Sequence, residues 1–135
     1  MAKSIEAIEG IGEKYGKKLR GAGCSSPAAL LRDGGSRKGR KSICDATGIS
    51  DKIVLRCVNM ADLFRIKGVA SQYAELLEAA GVDTVKELRN RNAANLAEAM
   101  KATNAKKKLV RQVPGEATIK GWIDQAKTLK PAVTY

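Results

Sequence analysis

Apolar positions recur along this chain at helical spacing. Tyr15, Leu19 and Ala22 keep the 3.6-residue period, as do Tyr73, Leu76, Leu77 and Ala80, so each set marks one face of an amphipathic helix. Gly23 and Gly81 follow these runs, where a helix end favours a left-handed glycine. Ser26-Pro27 then reads as an N-cap with proline in the first helical position. Thr84-Val85-Lys86-Glu87 reads as a capping box at the matching place. Leu30 and Leu88 therefore fall on short third helices. Further helices are predicted over 37–47, 51–64, 93–103, 105–113 and 116–129. Ser50 is the candidate N-cap of the 51–64 helix, and Pro114-Gly115 breaks the chain before the last one. Asp33-Gly34-Gly35-Ser36 reads as the most flexible linker. No segment alternates as a strand would, so the expected fold class is all-α.

The pattern repeats. Ile8-Glu9-Gly10-Ile11-Gly12, followed by Tyr15, Leu19, Ala22 and Gly23, returns as Ile66-Lys67-Gly68-Val69-Ala70, followed by Tyr73, Leu77, Ala80 and Gly81. The offset is fifty-eight residues, and Leu30 and Leu88 keep it. A weaker match pairs Ala46-Thr47 and Lys52-Ile53-Val54 with Ala102-Thr103 and Lys108-Leu109-Val110. An internal duplication is expected from this, with halves at 1–62 and 63–135. Thr47-Gly48-Ile49-Ser50 and Thr103-Asn104-Ala105-Lys106 are read as ordinary helix–helix turns, with degenerate hairpins as the alternative.

Ile8, Gly10, Ile11, Gly12, Gly16 and Leu19 together resemble the helix-hairpin-helix motif. Two glycines let the backbone reverse sharply, the hydrophobe between them plugs the space between the helices, and Gly16 permits their close approach. The exposed N–H groups at the start of the second helix, with the helix dipole, form an anion site. The resemblance implies a grip on one DNA phosphate by the backbone at Gly10, Gly12, Glu13 and Lys14, helped by nearby lysines. The second copy, Gly68-Val69-Ala70, departs from the pattern. Ala74 in place of Gly16 suits the motif, whereas the Cβ of Ala70 is expected to crowd the phosphate turn. That hairpin is read either as a second contact or as structural only.

Charge sharpens this picture. Twenty-five Lys and Arg against fourteen Asp and Glu give +11, a balance suited to a polyanionic partner. Between residues 14 and 41 stand Lys14, Lys17, Lys18, Arg20, Arg32, Arg37, Lys38, Arg40 and Lys41 against Asp33 alone. The 37–41 cluster is read as surface or as a mobile arm. Lys101, Lys106, Lys107, Lys108 and Arg111 form a second run without acids. No helix presents the Arg, Asn and Gln set that reads base edges. Stacking on single strands has little support, because Tyr15 and Tyr73 fall at core-like positions and Trp122 is expected to be buried.

Other chemistries have little to build on. The chain has no histidine, and Cys24, Cys44 and Cys57 lie far apart. A zinc site, a disulfide framework and a histidine-assisted nucleophile are therefore not expected. Neither catalysis nor a cofactor is expected. No leader segment or bilayer-length apolar run is read, and a cytoplasmic location is expected.

The phrases Val58-Asn59-Met60-Ala61-Asp62-Leu63, Ile66-Lys67-Gly68-Val69, Glu75 through Thr84 and Val133-Thr134-Tyr135 resemble an uncharacterised, mostly bacterial family of unknown function with tandem helix-hairpin-helix motifs. The expected activity is non-catalytic, sequence-independent binding of nucleic-acid backbone, DNA first. The contact residues would be Gly10, Ile11, Gly12, Glu13, Lys14, Lys17 and Lys18, with Gly68, Val69 and Ala70 as the second set. The alternative is a protein-interaction module, since paired motifs of this kind also dock proteins.

Overall fold

The computed structural model describes residues 4–8 and 11–134. All regular structure among these residues is helical, with no strand. A 3-10 turn at Ile5–Ala7 precedes α1 (Gly12–Gly21), α2 (Pro27–Gly34), α3 (Arg37–Thr47) and α4 (Asp51–Leu63). Then come α5 (Ser71–Ala79), α6 (Val85–Leu88), α7 (Ala93–Lys107) and α8 (Glu116–Thr128). The chain forms two compact units, Met1–Asp62 with Ala132–Tyr135, and Leu63–Pro131.

In the first unit the 3-10 turn packs on α1 and α2, and α3 packs on both of those helices. Ile5, Ile8, Leu19, Cys24 and Leu30 are fully buried. Burying side chains of leucine size contributes roughly 1.5–3 kcal/mol each. In the second unit α7 packs on α5 and α8, and α6 on α8, with Leu76, Leu77, Val82, Leu88, Leu96, Met100 and Ile119 buried.

Local signals explain most helix ends. Cys24 N–H bonds Leu19 O (2.8 Å) and Gly23 N–H bonds Arg20 O (3.0 Å), with Gly23 at φ +89°. These are the paired hydrogen bonds of a left-handed glycine cap, with Leu19 and Cys24 buried on either side. Val82 N–H to Leu77 O (2.8 Å), Gly81 N–H to Glu78 O (3.0 Å) and Gly81 at φ +100° reproduce it fifty-eight residues on. Ser26 Oγ accepts from Ala29 N–H (3.1 Å) and Thr84 Oγ1 from Glu87 N–H (3.2 Å). The return half of the capping box is diverted, because Glu87 Oε1 takes the Arg91 guanidinium instead. Ser50 Oγ accepts from Ile53 N–H (3.4 Å) as α4 begins.

Five expectations need correction. Residues 105–113 do not form a helix of their own. α7 runs on through Lys107 and ends at Lys108, in left-handed conformation (φ +51°, ψ +47°). Asn104 then holds the returning chain, its side chain bonding both Val110 N–H and Val110 O at 3.0 Å. Thr103-Asn104-Ala105-Lys106 is accordingly helix interior, unlike Thr47-Gly48-Ile49-Ser50, a real turn with Gly48 at φ +74°.

The Asp33–Ser36 segment is a packed corner, not a loose linker. Gly34 and Gly35 are buried. A Cβ on Gly34 would lie 2.8 Å from Val58, and one on Gly35 would run into the Ala132 carbonyl. Ser36 caps α3 through Gly39 N–H (3.0 Å), so residues 37–41 are helix rather than an arm.

The C-terminal residues leave the second half. Thr134 N–H bonds Gly35 O (2.8 Å) and Arg40 donates to Thr134 O. The second unit therefore closes at Pro131, not at 135.

Candidate nucleic-acid interface

The first hairpin is set by two short bonds. Ile8 N–H reaches Ile5 O (3.2 Å) and Ile11 N–H reaches Ile8 O (3.3 Å). Ile8 and Ile11 are buried beneath the turn, so the Ile11 side chain packs inward. Gly10 lies outside the described residues. Gly12 is exposed at φ +67°, with open space where a Cβ would be. Glycine is needed there for its backbone angle rather than for room. Among the described residues no side chain caps the N-terminus of α1, and α5 and α8 are likewise without one, whereas α2, α3, α6 and α7 are capped by Ser26, Ser36, Thr84 and Asn92.

Around that end Glu13, Lys14, Lys17 and Lys18 are all exposed. Lys14, Lys17 and Lys18 share one helical face, by their spacing of three and four residues. Lys14 lies in the first turn of α1, near the positive end of its dipole, and Lys17 and Lys18 continue the same face towards its last turn. Glu13 is the one carboxylate among these residues. It sits in the first turn, where the dipole favours an acid and where it would repel an incoming anion.

Three arginines counted with the basic run have other duties. Arg20 forks onto Glu6, Nε to Oε1 at 2.9 Å and Nη2 to Oε2 at 2.5 Å. With a further bond from Ser4 Oγ (2.7 Å), the guanidinium holds the Glu6 carboxyl down at about 2. This pair lies over Gly16, where an added Cβ would stand 2.8 Å from Glu6 Oε1. Arg32 is bonded to Asp33 (3.0 Å). Arg40 is 7 % exposed and donates to Gly34 O and Gly35 O at 3.0 Å. Its place three residues before buried Ile43 was the available signal that it faces inward. Arg37, Lys38 and Lys41 remain exposed on α3.

The second hairpin repeats the two bonds, Ile66 N–H to Leu63 O (3.1 Å) and Val69 N–H to Ile66 O (3.2 Å), over buried Ile66 and Val69. Gly68 is exposed at φ +93°. A Cβ on Gly68 would lie 3.1 Å from Trp122 Nε1. Ala70 has an extended backbone (φ −89°, ψ 178°) and an exposed methyl. Gln125 occupies the turn from α8. Its Oε1 accepts from Lys67 N–H (2.8 Å) and its Nε2 donates to Lys67 O (3.2 Å). The sequence held no sign of this brace. Trp122 is buried, and Tyr73 leans on it half-exposed, with ring centroids 5.5 Å apart.

Two of the three thiols are shifted away from the thiolate. Burial raises the Cys24 thiol, and burial with nearby Asp51 and Asp45 pushes Cys44 up to about 11. Reactive cysteines are shifted the other way. No group of three or more Cys, Asp and Glu among the described residues could hold a metal ion. No helix among them is long and apolar enough to cross a membrane.

Comparison with curated proteins and with solved structures returns no match. A family model does match, over residues 9–129, and the chain belongs to that family, described as a domain of unknown function (DUF4332).

Proposed function

We propose that this protein binds nucleic-acid backbone, DNA first, without reading sequence and without catalysis. In this reading two tandem helix-hairpin-helix halves arose by internal duplication, and the first hairpin is the principal contact. The duplication is supported by the matching turn, cap and helix-end hydrogen bonds at an offset of fifty-eight residues. The function is carried by one observation. The N-terminus of α1, without a side-chain cap among the described residues, is entered through Gly12 at φ +67° and leads into a helix face with exposed Lys14, Lys17 and Lys18. Such an end favours phosphate, and contacts to phosphate position a protein without specifying bases.

The test is a titration of labelled duplex DNA across salt concentrations. Affinity should fall with salt at a log–log slope of about −0.9 per phosphate neutralised, alike for unrelated sequences. Absence of duplex binding at low salt would end this reading and leave the protein-interaction module. The brace on Lys67 favours that second role for the second hairpin, since its amide is already satisfied inside the protein.

A further inference from the structure

The second unit carries a groove of about 650 Å³ between the first turn of α5 and the chain that follows α7. Its lining is chemically one-sided. Lys108 and Arg111 are exposed cations, Gln72 and Gln112 offer exposed amides, and Tyr73 contributes a half-exposed ring. No carboxylate lines it.

The walls are fixed in place. Asn104 clips Val110 by both backbone groups. Lys108 N–H bonds Asn104 O (2.8 Å) while the residue takes a left-handed conformation, which costs a non-glycine residue of order 1 kcal/mol. Glycine would remove that cost and, with it, a cation at the groove. Tyr73 is tilted at 51° against Trp122, which sets the angle of its ring. Tyr73 is thus not the core residue that its helical position suggested.

We propose that this groove binds a nucleotide, base and phosphate together. The Tyr73 ring stacks on the base, Lys108 and Arg111 take the phosphate, and Gln72 and Gln112 bond the base edge. Aromatic platforms beside cationic residues hold single strands in this way, and an amide offers both donor and acceptor to a base. The site is separate from the first hairpin and shares none of its residues. It stands whether or not duplex DNA is bound there.

The experiment follows fluorescence anisotropy of a short labelled oligothymidylate with the full chain. Thymidine monophosphate and inorganic phosphate serve as competitors. Tyr73→Leu should weaken oligonucleotide binding about tenfold and Tyr73→Phe should retain it. Arg111→Gln and Lys108→Gly should each flatten the salt slope by about 0.7, and Lys108→Gly should hold or raise thermal stability. That last variant separates lost binding from lost folding. Displacement by the mononucleotide assigns the site to free nucleotides as well. Oligonucleotide binding without such displacement assigns it to strands.

Inorganic phosphate competing as well as the mononucleotide would overturn the proposal. So would the absence of oligonucleotide binding, or affinity indifferent to Tyr73→Leu and Lys108→Gly. Lys14→Gln with Lys17→Gln should weaken duplex binding and flatten its salt slope while sparing the Tyr73-dependent part, so either reading can fail alone.

Discussion

The turn before α1 and the turn before α5 share their hydrogen bonds and buried plugs, and part company at their last residue. Gly12 is left-handed and leads into an exposed, lysine-flanked helix end. Ala70 is extended, and its turn is tied to α8 through Gln125 and crowded by Trp122. The surroundings differ too. Glu6 and Arg20 embrace over Gly16, whereas the corresponding sequence positions hold Phe64, Glu78 and Ala74. What the two turns share is what the helices need in order to pack. What they do not share decides which backbone amides can meet a ligand, because a hydrogen bond already made inside the protein is not offered outside it.

The largest expected effect tests the shared part. Leu19→Ala and Leu77→Ala each truncate a fully buried side chain beside a glycine cap. Each should cost about 2–5 kcal/mol in denaturant unfolding. A large loss at one and none at the other would mean that the common skeleton does not serve both units.

Next comes the position that differs. Gly12→Val forces a β-branched residue to φ +67° and should lower duplex affinity by about tenfold or more, since left-handed backbone alone costs of order 1–2 kcal/mol. Ala70→Val, on extended backbone, should change little. Equal losses in the two anisotropy titrations would erase the distinction between the hairpins.

A smaller effect is expected from charge. Removing Lys14 and Lys17 together should flatten the salt slope by about one to two units and weaken all duplexes alike. A slope unchanged by their loss would move the contact elsewhere on the protein.

The smallest is a pH effect confined to the first unit. The Glu6 carboxyl titrates at about 2 in the folded chain, below its ordinary 4.5. Its stabilising bond to Arg20 is therefore complete above pH 4.5 and is lost as pH falls towards 2. Hydrogen exchange should show α1 loosening over that range, and Glu6→Gln should remove the dependence. A carboxyl resonance with an unshifted midpoint would contradict it.

The helices and caps were legible because they follow from local rules. Glycine takes left-handed angles at Gly23 and Gly81, and the Ser26 and Thr84 hydroxyls meet the amides three residues on. What escaped the sequence depends on distant partners. Gly34-Gly35 has the composition of a hinge and is rigid because Val58 and the Ala132 carbonyl close on it. Arg40 looks like surface charge and instead satisfies three backbone carbonyls. Residues 108–113 carry helix formers, yet Asn104 and left-handed Lys108 turn them aside. At the site, the exposed lysines of α1 could be read from helical spacing. The Gln125 brace, fifty-eight residues from Lys67, could not.

The bond from Thr134 to Gly35 also has a bearing on synthesis. A ribosome that has released residue 63 has delivered four helices but not the short segment that seals the α2–α3 corner. Residues 63–131 must emerge first, so the Gly34-Gly35 corner waits for Thr134. Closing so long a loop is entropically dearer than closing a local turn, though only logarithmically. A nascent chain halted midway would hold Arg40 and the Gly34-Gly35 corner with one carbonyl acceptor and the covering segment at Ala132–Thr134 missing.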